Sequence, residues 1–271
     1  MSKHRNLEVA IVGAGIIGVS AAYFLQKLGA SVTLIDKFFV GDCIPNLGLS
    51  QVMTYCRKTQ SGPFTDRGVV LARALGIELG YGGSLDISGG EAGVPDQVLG
   101  DRPRTVLLSD FARDLAVRCR DAGVRVLEAD PAHCLLGINN HVSGVDAASG
   151  VITADEVVVC AGLQSQILLT SAGLTLPLRA AENRLGASSA RQGIPGVFTG
   201  MVPMTPNGLP YVGRPEGFKG LYLGIGHGTN PAAAIAVGED IAAALCDADA
   251  MPAKVLLRSD LFTSHPISQS L

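Results

Sequence analysis

The segment that most constrains the fold is Val9-Ala-Ile-Val-Gly13-Ala-Gly15-Ile-Ile-Gly18, followed by Val32-Thr-Leu-Ile-Asp36. An apolar run, three phased glycines, a helical stretch, a second apolar run and an acid stand in the order a dinucleotide-binding strand–turn–helix–strand unit requires. Gly13 permits the tight turn off the first strand. Gly15 removes a Cβ where backbone approaches a pyrophosphate, and Gly18 lets the helix pack closely on the sheet. The helix N-terminus offers unpaired N–H groups and a partial positive charge to the phosphates. Asp36 closes the second strand, where a carboxylate accepts from ribose hydroxyls. The pattern specifies an adenine dinucleotide and leaves NAD and FAD open. Lys3-His-Arg5 ahead of an apolar run also fits the start of a secretory signal. The phased glycines and the Gln26-Lys27 interruption oppose that reading, and they oppose a membrane span too.

The 271 residues suffice for one large domain or two small ones. A net charge of −3, with only 17% charged residues and no basic block, excludes a nucleic-acid surface. Cys43, Cys56, Cys119, Cys134, Cys160 and Cys246 are scattered, with no C-x-x-C and no His at metal spacing. They read as reduced thiols of a cytoplasmic protein, without a metal site or a disulfide frame.

Local patterns give the elements. A helix is expected from about Ile16 to Leu28, ended by Gly29 as its C′ residue. Asp66–Leu79 reads as a helix, Ser84–Ile87 as a strand and Gly89–Pro103 as a loop. Leu108–Ala122 is an amphipathic helix with Ser109 as cap and Gly123 as stop. Strands are expected at Val124–Leu127, Cys134–Val145, Val151–Ala154 and Val157–Cys160. A further strand covers Leu176-Pro-Leu. Leu221–Ile225 is a strand, Gly226–Asn230 a turn and Pro231–Cys246 an alanine-rich helix, with Asn230 as N-cap and Pro231 at the first helical position.

Four blocks together resemble the D-amino-acid-oxidase-like superfamily of FAD-dependent oxidoreductases, which includes glycine oxidase, sarcosine oxidase and D-amino-acid dehydrogenase. The first is Gly13–Asp36. The second, Gly41-Asp-Cys-Ile-Pro-Asn-Leu-Gly48, is similar to the family's G-A-S-x-x-N-A-G loop. The third, Ile152–Gly162, is similar to I-x-A-D-x-V-V-x-A-A-G. The fourth, Met204–Gly213 followed by Gly226-His-Gly-Thr229, is similar to T-P-D-G-x-P-x-I-G and G-H-G-T.

The resemblance implies an α/β chain: a Rossmann-like FAD-binding domain, discontinuous over 1–48, 105–171 and 206–250, plus a reduced, mainly β substrate cap over 49–104 and 172–205 and a tail over 251–271. It assigns FAD contacts to Gly13, Gly15, Ile16, Ile17, Gly18, Asp36 and Lys37 in the first block. Cys43, Asn46 and Gly48 follow in the second, then Ala132, then Ala161 and Gly162. The last set is Gly226, His227, Gly228 and Thr229. His227 is a turn residue whose backbone binds, and Cys43 and Cys160 are buried small residues. The Gly226–Thr229 turn aims its N–H groups and the following helix at the flavin's pyrimidine edge, where reduction leaves negative charge. Gly200 and Val202 stand at the flavin-linking positions, so FAD is expected to be non-covalent.

The implied activity is hydride transfer to flavin from a small amine or amino acid; the alternative is an FAD-binding but catalytically degenerate homologue or partner subunit. Such a chain has a small-molecule substrate and no membrane span; the sequence leaves open whether it stands alone or in a homo- or hetero-oligomer. Two departures bear on the substrate. Where amino-acid-binding members carry a carboxylate-gripping Arg, this chain has Val202, and Asn207 replaces the usual Asp. The chain is also shorter than the family pattern around Gly89–Arg104 and Gly186–Pro195. Arg184 and Arg179 are the candidate replacement anion contacts, and Tyr81 and Tyr55 the candidate pocket residues. No catalytic side chain is assigned.

Overall fold

A computed structural model describes residues 7–44, 63–81, 106–185, 198–206, 208, 210–226, 230–246 and 263–264. Its centre is the expected unit: β1 (Glu8–Val12), α1 (Ile16–Lys27) and β2 (Ser31–Ile35). β1 and β2 run parallel in register, Val9 beside Val32 and Val12 beside Ile35. Four of the five β1 residues are buried, as a parallel strand covered on both faces requires. Leu28 ends α1 and Gly29 follows at φ +88°, the left-handed C′ position.

Two helices come next, α2 (Pro63–Glu78) and α3 (Leu108–Asp121). Then come β3 (Arg125–Leu127), β4 (Ala132–Ile138), β5 (His141–Ala147), β6 (Gly150–Thr153) and β7 (Glu156–Val159). A 3-10 turn at Gly162–Gln164 leads into α4 (Ser165–Ser171). The remaining elements are β8 (Leu174–Thr175), β9 (Arg179–Leu185), β10 (Phe198–Met204), β11 (Tyr211–Gly213), β12 (Leu221–Ile225), α5 (Pro231–Cys246) and β13 (Thr263–Ser264).

The main sheet has the order β11-β12-β7-β1-β2-β3, all parallel except the antiparallel edge strand β11. Its two faces are covered differently. Val9 and Ile11 point to one face, into a cluster with α1, α2, α3 and α5. Ala10 and Val12 point to the other, into a cluster with Leu135, Val142, Val145 and Ile152 of the β4-β5-β6 meander and Leu168 and Leu169 of α4. The period-2 alternation of one strand therefore serves both cores. α2 lies in the sequence range expected to form the cap, yet its Val69, Leu71, Ala72 and Leu75 belong to the helical core.

Four expectations change. Cys134–Val145 is not one strand but the β4–β5 hairpin, folded at Asn139-Asn140. Both asparagines have positive φ, 51° and 59°, which suits a two-residue hairpin turn. Ser109 is not the cap of α3: Leu107 holds the extended N-cap position, and Ser109 lies fully buried in the first turn, because Leu108 is itself drawn into the core. Leu176–Leu178 is not a strand. Pro177 has no N–H for a ladder, and the Leu178 N–H turns back to the Leu176 carbonyl at 2.8 Å, between β8 and β9. Within the expected tail, Thr263–Ser264 pairs antiparallel with β8. Ser84–Ile87 and Gly89–Pro103 lie outside the described residues.

Candidate functional site

One cavity of about 430 Å³ runs across the carboxyl ends of β2, β1, β7 and β12. This is where an open parallel sheet leaves room for a ligand, between the turns that follow its strands. The β9–β10 sheet closes one side through Met201, Val202 and Pro203.

The turn after β1 shows why three glycines are needed. Gly13 sits at φ +110°, and a Cβ there would come within 2.5 Å of the Cys160 carbonyl at the end of β7. A Cβ on Gly18 would collide with the Gly13 carbonyl. These two glycines are fixed by packing. Gly15 is different: a Cβ there meets no atom within 4 Å, and the residue lines the cavity with Ile16 and Ile17. Its missing side chain keeps ligand space open. Gly15 is also the N-cap of α1, with no side-chain cap and no acid in the first turn. The first N–H groups of α1 thus face the cavity unclaimed by any capping side chain, which is the donor set a phosphate takes.

Asp36 stands at the next strand end. Its Oδ2 accepts the Ala14 N–H at 2.6 Å and its Oδ1 the Phe38 N–H at 2.8 Å. Both oxygens are oriented by backbone and retain lone pairs for hydroxyl donors. Burial pushes this carboxyl above the ordinary Asp range; the two N–H bonds and Lys37 pull the other way. Lys37 and Cys43 line the same end of the cavity, and Cys43, expected to be a buried small residue, is exposed. Cys160 is buried, with its Sγ 3.4 Å from the Gly13 carbonyl, and burial pushes its thiol far up. It is packing, not a nucleophile.

At the β7 and β12 ends the cavity takes in Ala161, Gly162 and Gly226, and Ala132 closes it from the meander. Gly226 has φ +85°, and a Cβ there would lie 2.7 Å from Thr205 Cγ2. α5 begins five residues further on. Unlike α1 it is capped: Asn230 Oδ1 accepts the Ala233 N–H at 2.9 Å, and Asn230 Nδ2 donates to Thr65 Oγ1 at 2.7 Å. Pro231 has no N–H to offer. The start of α5 therefore presents its dipole more than free donors, and α1 presents the donors.

Of the residues singled out in the sequence, Gly18 supports the turn from behind the cavity wall. Asn46, Gly48, His227, Gly228, Thr229, Tyr55 and the side chain of Arg184 lie outside the described residues. Arg179 is exposed at the start of β9. Tyr81 is not in the cavity lining; its hydroxyl hydrogen-bonds Asp114, and its ring packs against the helical core. Sequence reading missed Leu163, Gln164 and Ile167, which line the cavity just past β7. Their position directly after a buried parallel strand was the available signal. Among the described residues there is no cluster of His, Cys, Asp or Glu that could hold a metal, and no helix long and apolar enough to cross a membrane.

Residues 8–44 match the model of the family described as FAD dependent oxidoreductase. No curated protein matches the chain. Solved structures resemble it over most of its length. L-proline dehydrogenase from P. horikoshii is 16% identical, with a TM-score of 0.65 over 92% of this chain and 96% of that one. L-amino acid deaminase from Proteus myxofaciens, in complex with anthranilate, is 13% identical, with a TM-score of 0.69 over 96% and 94%. Glycine oxidase from Bacillus cereus ATCC 14579 is 17% identical, with a TM-score of 0.58 over 92% and 99%. The fold is the one these solved structures share, an α/β sheet domain accompanied by smaller β sheets.

Proposed function

We propose that this chain is an FAD-dependent oxidoreductase that removes a hydride from a carbon beside the nitrogen of a small amine or amino acid. The observation that carries the reading is the combination at α1: an uncapped helix N-terminus, a glycine whose Cβ would point into open cavity, and a half-buried carboxylate held by two backbone N–H groups at the next strand end. The match of residues 8–44 to the family model adds the cofactor's identity. When bound, FAD supplies the two-electron acceptor.

The chain's own residues divide the rest of the work. The α1 N-terminus would hold the pyrophosphate, and Asp36 would accept from the adenosine ribose. Gly162, whose Cβ would meet no atom within 4 Å, would leave room for the ring system at the β7 end, and Gly226 lines the β12 end. The α5 dipole places positive potential at that end, where it favours a developing anion without rearrangement. Met201–Pro203 and the Gly162–Gln164 turn, which line this end of the cavity, would border the substrate. With a neutral amine, the nitrogen lone pair assists loss of the hydride and no side-chain base is required.

Purified protein is expected to be yellow and to release FAD into the supernatant on acid or heat treatment. Colour retained by the precipitate would refute a non-covalent cofactor, and FMN in the supernatant would refute the adenosine site. Anaerobic titration with a panel of amines and amino acids tests the reaction. Bleaching of the flavin by at least one member is expected; bleaching by none would favour a flavin-binding homologue without turnover.

A further inference from the structure

The two ends of the cavity differ in charge. Asp36 and Lys37 are the only ionisable side chains of the D, E, K, R type that line it among the described residues, and both follow β2. The opposite wall is made by Leu163, Gln164, Ile167, Met201, Val202 and Pro203. It lies beyond β1, at the ends of β7 and β12. Neighbouring strands are spaced about 4.8 Å apart, so two to three spacings separate the ends by roughly 10–14 Å. That exceeds contact distance and the screening length of about 8 Å at physiological salt. Lys37 therefore cannot pair with an anion bound at the far wall.

That wall is apolar and open. Ile167 is 63% exposed and Met201 56%, and both face the cavity. Large apolar side chains left uncovered inside a concavity mark the place where an apolar group docks. The polar side chain among them is Gln164. It is exposed, and its amide has no hydrogen-bond partner among the described residues, only its backbone N–H being engaged, by the Ala161 carbonyl. By contrast, Gln166, two residues on, is committed: its Oε1 accepts the Leu176 N–H at 3.1 Å.

Resting on the oxidoreductase reading above, we infer that this wall selects an amine substrate with apolar substituents and no carboxylate, and that the neutral amide of Gln164 is its hydrogen-bonding handle. A carboxylate placed here would lose its hydration against Val202, Met201 and Ile167, and no described residue of this wall offers a cation to replace it, which is costly. A neutral donor or acceptor keeps a partner in Gln164 and buries its carbon chain on the same wall.

The test uses the holoenzyme and two probes of equal shape, benzamide and benzoate, read by perturbation of the bound flavin's absorption and by calorimetry. Wild type is expected to bind benzamide at least tenfold more tightly than benzoate. Gln164→Leu should weaken benzamide about three- to tenfold, the range of one neutral hydrogen bond, and leave benzoate unchanged. Val202→Arg should reverse the preference. Should that variant fail to fold, Gln164→Arg adds a cation to the same wall at an exposed position and should also favour benzoate. Equal or tighter binding of benzoate by wild type would overturn the assignment, as would binding of neither probe. Protein that never carries FAD would overturn the oxidoreductase reading itself, whereas a yellow protein with the wrong preference would overturn only the substrate class.

Discussion

At the scale of single residues, the glycines of the first turn separate folding from binding. Gly18→Ala puts a methyl into the Gly13 carbonyl, so the turn or α1 must shift. Overpacking of this kind costs about 1–3 kcal/mol, a fall in melting temperature of roughly 2–12 °C for a chain of this size. Gly15→Ala meets no protein atom. Its apoprotein should melt within about a degree or two of wild type while losing FAD. Thermal scans with and without added FAD check the pair; equal losses of stability in both would mean that Gly15 is structural as well. Asp36 gives the second test. Charge-assisted hydrogen bonds contribute about 1.5–3 kcal/mol, so Asp36→Ala should weaken FAD binding roughly tenfold to a hundredfold. The same carboxyl has a raised pKa, with burial the largest cause. Its ionised, hydroxyl-accepting form is present above that pKa and is lost as pH falls through it. FAD affinity of wild type should therefore start to drop on acidification above the ordinary Asp value of about 3.9. That early loss should be absent in Asp36→Ala, and identical pH profiles would remove Asp36 from the ribose.

At the scale of elements, two helix starts differ in a way that local sequence partly announces. Asn230-Pro231 is a readable start signal, and the Asn230 side chain does cap Ala233. What could not be read is the bond from Asn230 to Thr65, 165 positions away in sequence, which ties α2 to the start of α5. Nor could one read that Gly68 is required, because a Cβ there would strike the Ala232 carbonyl where the two helices cross. Such contacts are set by tertiary approach and leave no periodic trace. The hairpin at Asn139-Asn140 is the reverse case: its turn residues stand in plain view in the sequence, inside a run whose apolar residues otherwise read as one long strand. Asn230→Ala should cost about 1 kcal/mol, with up to about 2 for a buried cap. It should lower the urea midpoint at unchanged slope. An unchanged midpoint would mean that water replaces the cap and that Thr65 does not hold the helix start.

At the scale of the whole molecule, the first βαβ unit was legible because its signals are local: apolar runs, phased glycines and an acid within one short stretch. The sheet order β11-β12-β7-β1-β2-β3 is not local, and neither is the meander that covers the face opposite the helices. These long-range choices bring Asp36, Ala132, Gly162, Val202 and Gly226 to one cavity although they are spread over most of the chain. A ligand that spans such a cavity bridges the turns of four parallel strands, so its binding stabilises the assembled sheet rather than one element. The expected size follows from mass action. FAD at a hundred times its dissociation constant contributes about 2.7 kcal/mol, and for a chain of this length each kcal/mol is worth roughly 2–4 °C. The melting temperature should rise by about 5–11 °C in a single cooperative transition. At the same FAD concentration Asp36→Ala, with its weaker affinity, retains roughly 0.4–1.4 kcal/mol of that effect, a rise of about 1–6 °C. Differential scanning calorimetry reads both numbers. A second, unshifted transition in wild type would mean that part of the sheet unfolds independently of the cofactor. A comparable rise with NAD and none with FAD would turn the dinucleotide site over to a nicotinamide enzyme.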